Sequence, residues 1–252
     1  TFIKQYEQGG RLPVWELASN ETDCMIGYHS VSVIADAMVK GIKGFDYEKA
    51  FEASKASAMR DVLGLDAYKK NGFISIDDEH ESVSKTLEYA YDDWCIAQIA
   101  KKANNTEIFE KYSKRAENYN HVYDKEIGYM RPKLSDGSWR KNFEPLDTEG
   151  QGFIEGNALN YGLYVPQNID KMITMMGGKD KFSKHLDYIF TTELEDKYIE
   201  KNEDITRDGL IGSYVHGNEP GHHIPYLYNW TNDAWKTQER VRMIMKTMYR
   251  NK

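Results

Sequence analysis

Three histidines, a carboxylate and an amide fall within eight residues at His216-Gly217-Asn218-Glu219-Pro220-Gly221-His222-His223. Zinc would take His and Glu ligands at fixed geometry. Calcium would take oxygens instead, from Asn218, Glu219 and backbone carbonyls. A polar loop bonded to backbone and water is the third reading. Adjacent His222 and His223 cannot both face one ion from a regular helix. A second segment, Gly150-Gln151-Gly152-Phe153-Ile154-Glu155-Gly156-Asn157, sets one carboxyl among apolar residues and glycine ahead of an expected helix. Such a carboxyl can have a raised pKa and serve as a general acid, or can simply complement the helix N-terminus.

Two further segments pair aromatic with acidic groups. Trp15-Glu16-Leu17-Ala18-Ser19-Asn20-Glu21-Thr22, followed by Gly27-Tyr28-His29-Ser30, fits ligand binding and helix capping equally. In Tyr89-Ala90-Tyr91-Asp92-Asp93-Trp94, two carboxylates sit side by side on a helix whose apolar stripe includes Ala90 and Trp94. One of them must approach that stripe, where a buried acid could bind a polar substrate; a solvated face is the alternative reading. No Gly-x-Ser-x-Gly, Walker loop or Rossmann fingerprint is present.

Helices must position these groups. Val31, Ile34, Met38 and Ile42 recur at helical spacing, as do Tyr47, Ala50, Phe51 and Ala58 behind Asp46, an expected N-cap. Val83, Leu87, Ala90, Trp94 and Ala97 form a third stripe, with Asp78 and Glu81 spaced as a capping box. Ile108, Tyr112, Ala116, Tyr119 and Tyr123 follow Asn105 or Thr106. Phe182, Leu186 and Ile189 are entered through Gly177-Gly178, and Val241, Ile244, Met245 and Met248 make the last stripe. Short links at 41–46, 101–105 and 176–180 predict antiparallel αα-hairpins, hence a bundle or an α/α toroid. Asp136-Gly137 predicts the tip of a β-hairpin insertion near 129–140. Residues 202–230 are loop-like, and no linker divides the chain, so residues 1–252 are expected to form a single helical domain.

Composition narrows the function. Mean hydropathy is −0.72, and no apolar run approaches the roughly 18 residues of a membrane helix, so membrane insertion is excluded. A net charge of −7 without a basic block speaks against a nucleic-acid partner. The two cysteines, Cys24 and Cys95, are expected as separate buried thiols.

Taken in order, these segments resemble glycoside hydrolase family 92, the calcium-dependent exo-acting α-mannosidases. The stretches that carry the likeness are 12–22, 25–30, 33–37, 82–94, 153–157 and 216–223, so it runs from about residue 9 to the C-terminus. The resemblance implies an all-α fold that is part of an (α/α)6 toroid. It implies an inverting mechanism, with Glu155 as the general acid and Ca2+ bound through Asn218 and Glu219. Sugar binding falls to Trp15, Glu16, Tyr28, His29, Asp92, Asp93, Asn157, His216 and His222. The partner implied is a mannose-containing oligosaccharide or glycan. Members specific for α-1,2 links favour Glu after the matched His, where this chain has Gly217, which argues against that linkage. The family's general base belongs to a motif expected beyond Lys252. Its N-terminal β-sandwich is expected before residue 1, so the chain reads as an internal part of the catalytic domain with reduced hydrolysis of its own. Export to the periplasm, the cell surface or the medium follows from the family alone. A non-catalytic glycan-binding helical domain is the alternative.

Overall fold

The computed structural model describes residues 1–203 and 205–249. Two compact units divide the chain, residues 1–122 and 123–252. Unit 1 contains α1 (Phe2–Gly9), a two-stranded ladder of β1 (Glu16–Leu17) with β2 (Asn20–Glu21), α2 (Ser30–Val39), α3 (Tyr47–Ala58), α4 (Leu65–Asn71), α5 (Ser82–Lys102) and α6 (Thr106–Arg115). A 3-10 turn at Asn118–Val122 closes it. The 21-residue α5 is the spine, packed by α2, α3 and α6. Its Tyr89 and Ile96 pack with Val31, Ile34, Met38, Ala50, Ala53, Tyr68 and Tyr112 in one buried core.

Local chemistry explains the helix starts. Asp46 accepts a hydrogen bond from the Lys49 N–H at 2.9 Å, and Asn105 accepts one from the Ile108 N–H at 3.0 Å. Both are side-chain N-caps, which satisfy amide groups a helix leaves unpaired. The expected capping box is absent. Asp78 instead accepts from the Ser75 hydroxyl at 2.8 Å, and Glu81 is the N-cap residue of α5 without a side-chain cap. Ile42 lies beyond α2 and is exposed, and Trp94 is exposed where its stripe predicts burial. Cys24 is exposed and Cys95 buried, both as free thiols.

Unit 2 holds the ladder of β3 (Tyr123–Asp124) with β4 (Tyr129–Met130), then α7 (Ile169–Met175), α8 (Lys179–Thr191) and α9 (Asp196–Ile199). The ladder of β5 (Leu210–Ile211) with β6 (Tyr214–Val215) and α10 (Trp235–Met248) follow. Tyr123, expected at the end of a helical stripe, is instead a strand residue, because α6 stops at Arg115. The insertion hairpin is present. Lys133 bridges Trp139, and the Leu134 and Gly137 amides donate to the Ser138 and Leu134 carbonyls around the Asp136-Gly137 tip. Tyr129–Met130 pairs back with Tyr123–Asp124 rather than across that hairpin. Among the described residues no helix is long and apolar enough to cross a membrane.

Gly212 turns the β5–β6 hairpin at φ 63°. A Cβ there would meet the Phe190 carbonyl carbon at 2.6 Å and the Ile189 carbonyl oxygen at 2.7 Å. Gly212→Ala therefore combines a left-handed backbone with a clash against main chain that cannot rotate away. Its expected cost is about 2–4 kcal/mol, read as a shift in the midpoint of denaturant unfolding.

Candidate functional site

In unit 1 the geometry follows from α5. Glu88 and Asp92 stand four residues apart and so share one helix face. Their relative exposures are 1% and 0%. His29, the N-cap residue of α2, reaches both: Nδ1 lies 2.9 Å from Asp92 Oδ1 and Nε2 lies 2.5 Å from Glu88 Oε2. Two ring nitrogens facing two carboxylates define an imidazolium that donates from both. Burial alone would lower the His29 pKa, but Asp92 and Glu88 overcome it and hold the ring well above its usual 6.5. The other Asp92 oxygen accepts from the Tyr28 N–H at 2.7 Å.

Asp93, one residue on, faces a different group. It accepts from the Tyr28 hydroxyl at 2.8 Å, the Tyr68 hydroxyl at 3.1 Å and Arg115 Nε at 2.8 Å. Burial pushes its carboxyl up to about 6, against the pull of Arg115 and the two hydroxyls. The Arg115 guanidinium also lies over the Tyr112 and Tyr68 rings, 5.0 and 5.4 Å from their centroids. Both adjacent carboxylates are thus interior, not one, and Tyr28 is a core residue. His29 keeps about a third of its side chain exposed.

Trp15 and Glu16 sit elsewhere in unit 1, exposed on the β1–β2 hairpin, whose turn residues Ala18 and Ser19 both have positive φ. This segment is a hairpin and not a helix cap. Glu21 braces it by accepting from the Val14, Trp15 and Asp23 amides at 2.6, 3.0 and 2.9 Å.

In unit 2, Glu155 lies in irregular chain with φ 49°, not at a helix start. Its Oε2 accepts from Asn218 Nδ2 at 3.0 Å. Asn218 is 5% exposed and is the N-cap residue of the 3-10 turn Glu219–Gly221, where its carbonyl accepts from the Gly221 N–H at 3.0 Å. Asn157 is wholly buried: its oxygen accepts from the Leu159 and Asn160 amides and its nitrogen donates to the Leu146 carbonyl. His216 has Tyr214 OH at 3.2 Å on Nδ1 and Tyr249 OH at 2.9 Å on Nε2. Burial, then the nearby His222, lowers its pKa, so the ring is neutral at pH 7. The His216 and His222 rings stack at 5.1 Å and border a cavity of about 210 Å3 that Tyr214, Tyr226, Ile244 and Tyr249 also line.

The three histidines do not converge. His222 Nε2 donates to the His216 carbonyl at 2.8 Å and His223 Nε2 to the Leu163 carbonyl at 2.9 Å. Among the described residues no group of three or more His, Cys, Asp or Glu side chains is placed to hold a metal, which disfavours zinc. Asn218 and Glu219 offer oxygens of the class calcium prefers, but two fall short of the six to eight it takes. These two residues do not make a calcium site by themselves.

Sequence reasoning missed Glu88, Tyr68 and Arg115. The i, i+4 spacing to Asp92 was the available signal for Glu88. Nothing local marks Arg115, which closes α6.

Several known proteins share this architecture. The profile of the glycosyl hydrolase family 92 catalytic domain matches residues 1–252. A family GH92 α-mannosidase from Bacteroides thetaiotaomicron, solved with mannoimidazole, superposes with a TM-score of 0.90 at 43% identity, covering 98% of this chain and 33% of its own. A family GH92 inverting mannosidase from the same organism gives 0.86 at 33% identity, covering 98% of this chain and 35% of its own. An uncharacterized secreted glycosidase of Arthroderma benhamiae is 24% identical over 267 residues, 90% of this chain and 32% of its own length. The chain spans about a third of the length of each. Its helical hairpins are part of an (α/α)6 toroid.

His29 gives a pH prediction. Its folded pKa is raised, so its stabilisation is complete below the unfolded value near 6.5 and is lost as pH rises through the folded one. Asp93, with its value of about 6, titrates below that window. As pH rises above that unfolded value, the melting temperature is expected to fall more steeply in the wild type than in His29→Gln; equal slopes would contradict the imidazolium.

Proposed function

Because the chain belongs to glycosyl hydrolase family 92, matched over residues 1–252, we propose that it is part of the catalytic domain of an inverting, calcium-dependent exo-α-mannosidase. Glu155 is its general acid, and the substrates are α-mannosides or N-glycans that lose a terminal mannose. One observation carries the reading. Glu155 and Asn218, from two separate family-like segments 63 residues apart, meet through a 3.0 Å hydrogen bond. The solved relatives named as mannosidases support the substrate class, and the relative named as a secreted glycosidase supports export to the periplasm, the cell surface or the medium.

In this mechanism Glu155 gives its proton to the departing glycosidic oxygen. A general base activates water on the opposite ring face, with the two carboxyls about 6.5–9.5 Å apart to admit it. The base is assigned to no residue of this chain. His216 and His222 border the cavity in which the next sugar would lie. Gly217 beside them is exposed, with nothing within 4 Å of an added Cβ; that it is Gly and not Glu argues against α-1,2 specificity. In unit 1, the exposed Trp15 and Glu16 and the part-buried His29 are the candidates for sugar contact, and Tyr28, Asp92 and Asp93 act from beneath. Asn157 acts by holding the Glu155 segment. Bound calcium would polarise sugar hydroxyls; Asn218 and Glu219 would contribute two of its oxygens.

The test is release of mannose from α-linked mannobioses, with calcium and with a chelator. Release that the chelator abolishes, and that Glu155→Gln lowers by about 10²–10⁴-fold, is expected of the longer enzyme and, more weakly, of this chain. Equal turnover by Glu155→Gln would remove Glu155 from the reaction. Sugar binding with no cleavage in either protein would favour a glycan-binding domain.

A further inference from the structure

We infer that His185, Met130, Met172 and Met176 form a binding site for one soft monovalent cation of the copper(I) and silver(I) class. The site belongs to unit 2 and does not depend on the mannosidase reading.

Elements distant in sequence bring the donors together. Met172 lies in α7 and Met176 caps its end four residues on, so the two share a face. Met130 ends β4, and His185 lies in α8. All four line one cavity of about 10 Å3, which Tyr123, Tyr129 and Leu163 also border. That is roughly the room one water takes. Met130 and Met172 are buried. The histidine is already set as a ligand. It hydrogen-bonds the Leu159 backbone, and its buried Nε2 has no hydrogen-bond partner among the described residues. Nδ1 therefore carries the proton, which it donates to the Leu159 carbonyl, and Nε2 presents a bare lone pair. Metal-binding imidazoles have this arrangement, with one nitrogen held by a carbonyl or carboxylate and the other left for the ion. A water at Nε2 would need about two to four polar partners. The Tyr123 hydroxyl is spent on the Met175 carbonyl at 3.1 Å, and most of the lining is thioether and hydrocarbon. Thioethers select copper(I) over the hard ions that take oxygens, and imidazole suits copper as well. All four donors are uncharged, so a single positive charge is the least costly one to bury among them. His185, Tyr129 and Met176 keep partial exposure, which gives the ion its entry.

The experiment is an NMR titration of this chain, labelled at the methionine ε-methyls, with silver nitrate as a redox-inert probe. Cys24 is an exposed thiol that would take silver on its own, so the titration is made in Cys24→Ser. The three signals are assigned by their loss in Met130→Leu, Met172→Leu and Met176→Leu, which conserve volume. All three are expected to shift together up to one equivalent of silver and then to stop. In His185→Gln, and in Met172→Leu read from the two remaining signals, the affinity is expected to fall at least about tenfold. Signals of Met130, Met172 and Met176 that stay still at micromolar silver would overturn the inference, whether or not other methionines respond. So would an affinity unchanged in a folded His185→Gln or Met172→Leu. Failure of mannose release would fall on the mannosidase reading; failure of these shifts would fall on the cation site.

Discussion

Three carboxylates buried in a single helix are the constraint around which unit 1 is arranged. Glu88, Asp92 and Asp93 are at most 1% exposed, and an unpaired charge in such a setting costs several kcal/mol. Partners must therefore arrive from other elements. His29 comes from the start of α2 and Arg115 from the end of α6. His29 is the N-cap residue of α2 and Arg115 the last residue of α6. The net charge of the five groups is −1, with two cations against three anions. Removing either cation would leave a buried carboxylate without its counter-charge, whereas these pairs add little over an apolar core of the same shape. Their value lies in specifying one arrangement of α2, α5 and α6.

Unit 2 solves a different problem. Its chemistry sits on irregular chain, which must be held by hydrogen bonds in place of regular pairing. Asn157 spends its whole amide on backbone and on Asn160. Asn160 in turn donates to the Ser213 carbonyl at 2.7 Å, tying the Glu155 segment to the β5–β6 hairpin. The same hairpin leads into the loop that carries His216 and Asn218. Strain at Glu155 is sustained by this surrounding network.

Much of this was legible in the residues. The helical stripes of α2, α3, α6, α8 and α10, the caps Asp46 and Asn105 and the Asp136-Gly137 tip follow from periodicity and turn chemistry. Less legible were elements whose partners are remote. The short helices α1 and α4 carry too few turns for a stripe. α5 is buried nearly all round, so its stripe predicts the wrong fate for Trp94 and gives no warning that Glu88 and both Asp92 and Asp93 turn inward. The 78–81 spacing matches a capping box, but Ser75 is a nearer partner for Asp78. Of the site, the segments were found and their pairings were not. Asn218 was read for its oxygen, and the structure also engages its nitrogen; Arg115 has no local mark at all.

The account stands most directly on where a mannose-like ring binds. A crystal structure of this chain with mannoimidazole and calcium would decide it. The account predicts the sugar beside Glu155, with the Asn218 amide still on Oε2 and the His216–His222 cavity running outward from it. A ring bound away from Glu155, or a Glu155 carboxyl turned from both the sugar and Asn218, would contradict it.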